Sequence, residues 1–350
     1  MTIAIDMSPL LNGNHAQHRV RGSGFYLHYL KKSLVKYFPQ HSFLFFQKED
    51  KIPPNVSLVH FPYFEPFFLT LPLKKKHRSI VTIHDLIPLV FPKYFPAGIK
   101  GKIKWQIQKY LLKSVDSVIT DSECSKSDII KYTNISPAKI HVIYLAAGNH
   151  FRVIESKKDI EKIKAKHHLP EKFILYVGDA TWNKNLLRLL EAVKKTNIPL
   201  VLVGKALITD VDKNNTWNQE LVKTQEMAKQ NKNIFRLGFV SDEDLVLLYN
   251  AATIFVMPSL YEGFGLPVLE AMSSGCPVVT SWEGSLKEVA GEAAYIINPY
   301  DTENIAEGIV KVYKDSSLQD ALKIKGFKQV NKFSWEKTAT KTMEVYEATN

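Results

Sequence analysis

Short runs rich in β-branched and aromatic residues recur along the whole chain, separated by turn residues and stretches of helical periodicity. TIAID, SFLFF, SLVHF, SIVTIH, DSVIT and HVIYL are the strands expected in the first half. KFILYVG, PLVLVG, NIFRLG, TIFVMPS, CPVVTS and AAYIIN repeat the rhythm in the second, with helical periodicity in Asn185–Lys194 and Asp242–Asn250. Strands that alternate with helices lie parallel, and a parallel sheet must be covered on both faces.

The 350 residues suffice for two domains that each bury a core. A charged helical segment, Ser156–His168, is followed by LPEK, where Pro170 breaks the helix before a new strand. The expected organisation is therefore α/β, with tandem Rossmann-like domains over 1–168 and 169–332. Ligands of open parallel sheets bind beyond the carboxyl ends of the strands, so two parallel sheets facing across a cleft would place YVGD, LVGK, IHD and YEGFG around one cavity.

The composition, 45% hydrophobic and 23% charged, is that of a globular protein without low-complexity tracts. No apolar run approaches the roughly 18 residues that span a bilayer, and MTIAIDMSPLL lacks the regions of a signal peptide. A cytoplasmic location is expected, which leaves the sequons at Asn55, Asn134 and Asn214 without meaning. The two cysteines, Cys124 and Cys276, fit a reducing compartment and lack a histidine pattern for thiolate catalysis, so both are expected to be buried or inert. Of the net charge of +11, all lies in the first half: residues 1–150 hold 20 Lys/Arg against 9 Asp/Glu, whereas 151–350 hold 26 of each. That imbalance points to an anionic partner, whether a membrane surface, a nucleic acid or a phosphorylated substrate.

Two carboxylates, Glu262 and Glu270, flank the turn Gly263-Phe264-Gly265, which leads into the helical pattern Leu266–Ser274. Amides near a helix N-terminus attract phosphate. Glu262 would repel a bare phosphate but can accept hydrogen bonds from hydroxyls beside one, and Glu270, about one turn into the helix, can hold a ribose diol. A nucleotide sugar has that layout of hydroxyls around phosphate.

LGFVSDEDLVLLYNAATIFVMPSLYEGFGLPVLEAMSSGCPVVTS resembles the C-terminal signature of glycosyltransferase family 4 (glycosyl transferases group 1), retaining enzymes of the GT-B fold, including its E-x7-E element. FILYVGDATWNKNLLRLLEA, PLVLVGKA, FSWEKTATKTMEVY, VTIHDLIPLVFP and VITDSECSKSDII resemble further landmarks of that family in the same order, so the resemblance covers most of the chain. It implies an acceptor-binding domain over 1–168, a nucleotide-sugar-binding domain over 169–332, and a closing helix over 333–350 that crosses back to the first. It further implies that Glu262 engages the donor sugar, Glu270 the ribose, Lys184 the diphosphate, and His84 the sugar from the N-domain. The donor-binding set is completed by Gly263, Phe264, Gly265 and Leu266, and by Gly22 and Gly24 in RVRGSGFYLHYL, a loop that is otherwise a flexible connection.

One departure stands out. Many members carry an Arg directly after the glycine of the YVG strand, where this chain has Asp179. Lys205, after the LVG strand, either helps to compensate or is a solvated loop residue. Asp85 either accompanies His84 or caps the following turn. DVD at Asp210–Asp212 and DED at Asp242–Asp244 are read as loop and helix-start acids, and no metal is assigned.

The segment AGIKGKIKWQIQKYLLKS carries Ile99, Ile103, Ile107 and Leu111 at four-residue spacing among lysines, a basic amphipathic helix. Its apolar stripe either packs on the first sheet or, with KKSLVKYF and LKKKHR, attaches the protein peripherally to anionic lipid at the inner face of the membrane.

The resulting expectation is a metal-independent retaining hexosyltransferase without cofactor. It would move a hexose, mannose-type in preference, from GDP-mannose or a UDP-sugar to a glycan or lipid-linked acceptor in cell-surface polysaccharide synthesis. The alternative is a catalytically inactive sugar-nucleotide-binding GT-B protein, which Asp179 keeps open. Nucleic acid is not expected, because no recognition helix or aromatic platform accompanies the lysines.

Overall fold

Every one of the apolar runs contains a strand, and all the pairings are parallel, in two separate sheets. The computed structural model describes residues 1–10, 22–47 and 50–350. The first unit comprises Met1–Ala146 with Phe333–Asn350, and the second Ala147–Lys332.

The first unit holds β1 (Thr2–Asp6), β2 (Ser42–Phe46), β3 (Leu58–Phe61), β4 (Arg78–Thr82), β5 (Ser117–Thr120) and β6 (Ile140–Val142), in the order β2-β1-β3-β4-β5-β6. Its helices are α1 (Gly22–Tyr37), the short α2 (Ile87–Val90), α3 (Gly98–Lys113) and α4 (Glu123–Thr133). The second unit holds β7 (Ile174–Val177), β8 (Leu200–Val203), β9 (Ile234–Gly238), β10 (Ile254–Met257), β11 (Val278–Thr280) and β12 (Ala294–Ile296), in the order β12-β11-β10-β7-β8-β9. Its helices are α5 (Lys157–Lys166), α6 (Leu186–Thr196), α7 (Gln219–Gln230), α8 (Asp242–Ala251), α9 (Leu266–Ser273), α10 (Leu286–Ala290), α11 (Thr302–Lys314) and α12 (Ser316–Val330).

All four residues of β7, β8 and β10 are buried, as a sheet covered on both faces requires. Leu186, Leu189, Leu190 and Val193 of α6 and Ile305, Ile309 and Val312 of α11 join these strands in one core. Serine side chains cap the starts of α4, α5 and α8, where Ser122, Ser156 and Ser241 accept from the amides of Ser125, Asp159 and Asp244. From β7 the chain builds outward to β8 and β9, then returns to lay β10 on the other side of β7. The gap beyond the carboxyl ends of β7 and β10 is thus the switch point of the second sheet.

The boundary falls after Ala146 and not after His168. Asn250 of α8 holds the connecting chain, accepting from the Ile154 amide and donating to the Arg152 carbonyl. The Lys166 ammonium at the end of α5 pairs with Asp244 at 2.6 Å, and Ile163 of α5 is buried. The charged segment is therefore the first helix of the second unit rather than the end of the first.

The last helix, α13 (Trp335–Thr349), belongs to the first unit. Trp335 is buried and stacks on Tyr29 of α1 at 5.1 Å. Deeper in, His60 of β3 is fully buried between the Tyr346 hydroxyl at 2.7 Å from Nδ1 and the Thr82 hydroxyl at 2.8 Å from Nε2, and Thr82 meets the Tyr26 hydroxyl of α1 at 3.1 Å. One hydrogen-bonded chain so joins α13, β3, β4 and α1.

In α3 the fully buried residues are Gly101, Gln108 and Leu112; of the apolar stripe, Leu111 packs on the core, as does Trp105, whereas Ile99 and Ile103 do not. Gln108 donates to the Glu65 and Phe68 carbonyls and to the Thr70 hydroxyl, and accepts from the Leu71 amide. Satisfying those buried polar groups fixes the helix rotation and turns Ile99 (81% exposed) and Ile103 (57%) to solvent.

Burial, with a smaller effect from His84, lowers the His60 pKa from 6.5 to about 3. A depressed histidine pKa contributes stability that is present above 6.5 and is lost as the pH falls toward 3, because the unfolded chain binds the proton first. Unfolding titrations of wild type and His60→Gln should show that the variant lacks this part of the acid-side slope; equal slopes would contradict the buried neutral assignment.

Candidate functional site

Two loops meet at the switch point of the second sheet, Gly178–Asn185 after β7 and Pro258–Gly265 after β10. Asparagines lace them together. Asn183 donates to the Tyr261 carbonyl and accepts at its own carbonyl from the Leu260 amide, and Asn185 donates to the Pro258 and Pro299 carbonyls. Asn185 has φ 60°, a left-handed conformation that asparagine tolerates better than most residues. It therefore ends the 3₁₀ turn Trp182–Lys184 and starts α6.

That turn aims Lys184 at Glu262. The ammonium lies 2.8 Å from both carboxylate oxygens. The Glu262 side chain is 7% exposed and that of Lys184 23%. A carboxylate this deep would carry a large desolvation cost without a cation, and the lysine supplies it.

The turn after Glu262 is held from the connection between β11 and α10. The Ser285 amide and hydroxyl donate to the Glu262 carbonyl, and the hydroxyl also lies 2.7 Å from the Phe264 carbonyl. Gly284 makes this approach possible: its φ is 62°, and a Cβ there would stand 2.6 Å from the Glu262 carbonyl oxygen. Gly265, at φ 102°, turns the chain into α9, whose first residue is Leu266. Gly263 and Phe264 are buried, and Leu266 is half-buried. Glu270 is buried in the second turn of α9, where its carboxylate accepts from the Tyr249 hydroxyl at 2.9 Å.

Asp179 is exposed, and its backbone carbonyl accepts from the buried Tyr176 hydroxyl at 2.7 Å. Burial, followed by the charges of Glu262 and Asp179, raises the Tyr176 pKa, so the phenol stays a donor. Lys205 is exposed in the 3₁₀ turn after β8, the strand next to β7. Lys184, Glu262, Gly263, Phe264, Gly265, Leu266 and Glu270 thus share one edge of one sheet, with Lys205 one strand further on.

His84, Gly22 and Gly24 lie in the first unit. His84 follows β4, and its Nδ1 is 2.6 Å from Asp121 Oδ2. Burial acts to lower its pKa, but the charge and hydrogen bond of Asp121, with Asp85 and the Pro62 carbonyl, outweigh it and leave the pKa raised. Asp85 accepts from the Ile87 amide, the capping alternative for that residue. Gly22 is exposed and Gly24 buried in the first turn of α1, while Arg19–Arg21 of the same glycine loop lie outside the described residues. Asp242–Asp244 form the first turn of α8. Among the described residues no group of three or more His, Cys, Asp or Glu could hold a metal ion.

Sequence reasoning missed Tyr249, Asn183, Asn185, Gly284, Ser285 and Asp121. Each acts through a contact with a residue distant in the chain, and only Gly284, in the turn sequence WEGS, carries any local signal.

The model of the family "Glycosyl transferases group 1" matches residues 157–329, and that of "Glycosyltransferase Family 4" matches residues 7–146. The chain is 34% identical to the O-antigen chain mannosyltransferase B of Escherichia coli, over 77% of this chain and 70% of that protein. It is 30% identical to the serotype-specific mannosyltransferase WbdA of Escherichia coli over 76% of this chain, but spans only 33% of that longer protein. Among solved structures, sucrose-phosphate synthase from Thermosynechococcus elongatus superposes with a TM-score of 0.79 at 19% identity, covering 99% of this chain and 98% of that one.

Lys184→Met should destabilise the second unit by about 3 kcal/mol, the lower end for removing one partner of a buried pair. Adding Glu262→Gln should restore much of that loss. Denaturant titrations that find the double variant no more stable than the single would refute the pairing.

Proposed function

The chain belongs to glycosyltransferase family 4, and from that premise we propose that it moves mannose from a nucleoside diphosphate sugar to a growing cell-surface polysaccharide. GDP-mannose is the favoured donor over UDP-sugars, and the acceptor is a glycan or lipid-linked glycan. The mannose and polysaccharide assignments are supported by the O-antigen mannosyltransferase at 34% identity. Nothing favours the catalytically inactive alternative.

The observation that carries the reading of the site is the Lys184–Glu262 pair at the switch point, with Glu270 one helical turn away. An ammonium has three N–H groups, so Lys184 can keep one on Glu262 and turn another to a donor phosphate oxygen. There it would stabilise charge that develops as the diphosphate leaves. Lys205 would assist from the next strand, which is how this chain would manage with Asp179 in place of an arginine. Glu262 and the Gly263–Gly265 amides would orient the sugar, and Glu270, held by Tyr249, would accept from the ribose hydroxyls.

Transfer is proposed to be retaining and metal-independent. The bond from the anomeric carbon to the phosphate oxygen breaks as the bond to the acceptor oxygen forms on the same face. The acceptor proton then passes to the departing phosphate, so no protein base is required. The test is a thermal-shift and donor-hydrolysis screen of GDP-, UDP-, dTDP- and ADP-sugars. GDP-mannose should stabilise and be hydrolysed by wild type, with Glu270→Ala losing at least tenfold in donor affinity; equal stabilisation of both proteins would remove Glu270 from the site.

A peripheral attachment to anionic membrane is also proposed, on the exposed face of the first unit. Ile99, Ile103 and Tyr110 of α3 are exposed there beside Lys100, Lys102 and Lys109, and α3 contains no acidic residue. Among the described residues no helix is long and apolar enough to cross a membrane. Exchanging Lys100, Lys102 and Lys109 for Gln should weaken binding to phosphatidylglycerol vesicles several-fold; unchanged binding would remove this face from consideration.

A further inference from the structure

Two large aromatic side chains stand exposed at the carboxyl edge of the second sheet, Trp282 (46% exposed) after β11 and Tyr300 (53%) after β12. These strands are neighbours, with Thr280 opposite Ile296, and they lie on the side of β10 away from β7. On the proposed reading the donor takes the loops after β7, β8 and β10. The two rings stand beyond it on the same edge.

Both rings are carried on fixed backbone. The buried Ser281 beside Trp282 donates its hydroxyl to the Ser259 carbonyl at 2.6 Å and accepts from the Glu283 amide. Tyr300 belongs to a turn in which Asn298 accepts from the Tyr300 amide at its side chain and from the Asp301 amide at its carbonyl. The Pro299 carbonyl of that turn accepts from Asn185 at 2.6 Å, which ties it to the loop of Lys184. Rings presented in a fixed pose lower the ordering cost of binding.

Two charged groups complete the patch. Arg188, half-buried in the first turn of α6, donates from Nη1 to Asn185 at 2.9 Å, and a guanidinium has five N–H groups to offer. Glu283, also half-buried, follows Trp282 directly. Both act on Tyr300: burial raises its pKa, the charge of Glu283 adds to that, and Arg188 opposes it. An apolar peptide laid on the rings would desolvate these two charges without serving them. A hexose presents an apolar C–H face to an aromatic ring and hydroxyls around its rim, and a hydroxyl both accepts from a guanidinium and donates to a carboxylate.

We propose that Trp282, Tyr300, Arg188 and Glu283 form a saccharide-binding subsite, which holds a hexose unit of the glycan already built, away from the unit that receives the new sugar. This rests on the proposed transfer to a growing polysaccharide. The subsite lies wholly within the second unit. Its aromatic rings stack on the sugar face, Arg188 donates to hydroxyls, and Glu283 accepts from them. Holding one part of a chain raises the effective concentration of the rest, so the subsite favours long acceptors over short ones.

The experiment is an NMR titration of the full-length protein with mannohexaose, read at the Trp282 indole N–H, which is identified by its loss in Trp282→Ala. That resonance should move to saturation, and Trp282→Ala and Tyr300→Ala should each weaken binding about fivefold, the scale of one lost aromatic contact. Both side chains are exposed, and unchanged melting temperatures should show that the variants fold. KM for a long mannan acceptor should rise by a similar factor while KM for GDP-mannose stays as in wild type. A Trp282 resonance that stays in place at millimolar mannohexaose, or unchanged affinity in both variants, would overturn the proposal. So would a wild type that dimerises through this face while Trp282→Ala is monomeric. A saturable shift in a protein that neither binds nor hydrolyses any nucleotide sugar would keep the subsite and defeat the proposed transfer instead.

Discussion

A carboxylate buried at the end of a parallel strand has to be given a positive partner, and Glu262 receives it from Lys184 on the neighbouring strand's loop. Much else at this edge serves that pairing. Asn183 and Asn185 fix the loop that carries the lysine, Ser285 fixes the turn that carries the glutamate, and Gly284 lets the two backbones approach. The sheet order explains why the pair stands where it does. β7 and β10 are neighbours in space although two strands lie between them in the chain, so their loops border the crevice of a doubly wound sheet. On the proposed reading, a diphosphate enters a site already balanced in charge, and the lysine redistributes its hydrogen bonds instead of being recruited from solvent.

The first unit depends on a different constraint. Its sheet is completed in the core by the last helix of the chain, through a histidine that must stay neutral to be buried. At a second histidine, one strand away, Asp121 acts in the other direction and raises the pKa against the effect of burial. Two neighbouring imidazoles can be shifted in opposite directions because one faces hydroxyls and the other a carboxylate.

The alternation of apolar runs and helical periodicity made both sheets legible in the sequence, since a fully covered strand is apolar on both faces and needs no distant information to recognise. Edges are less legible: of HVIYL only His141 and Val142 fall in β6, because the chain leaves the sheet once its partner β5 ends at Thr120. The boundary was misplaced for a related reason. Pro170 breaks a helix, but a break is not a domain border, and only the docking of α5 on α8 decides to which unit the helix belongs. The apolar spacing in α3 leaves open whether its stripe faces the sheet or solvent, and Gln108 decides it by taking the inner face, with Leu111 packed on the core and Ile99 and Ile103 outside it. At the switch point, residues that belong to a local motif, such as Glu262, Gly265 and Glu270, are visible in the sequence; those that reach it from distant positions in the chain, such as Tyr249 and Ser285, are not.

The placement of the donor on the edge between β7 and β10 is tested most directly by hydrogen–deuterium exchange with and without GDP-mannose. Protection should concentrate in residues 178–186 and 258–272, the loops that carry Lys184, Glu262 and Glu270. Protection that leaves both segments unchanged while GDP-mannose demonstrably binds would contradict the account.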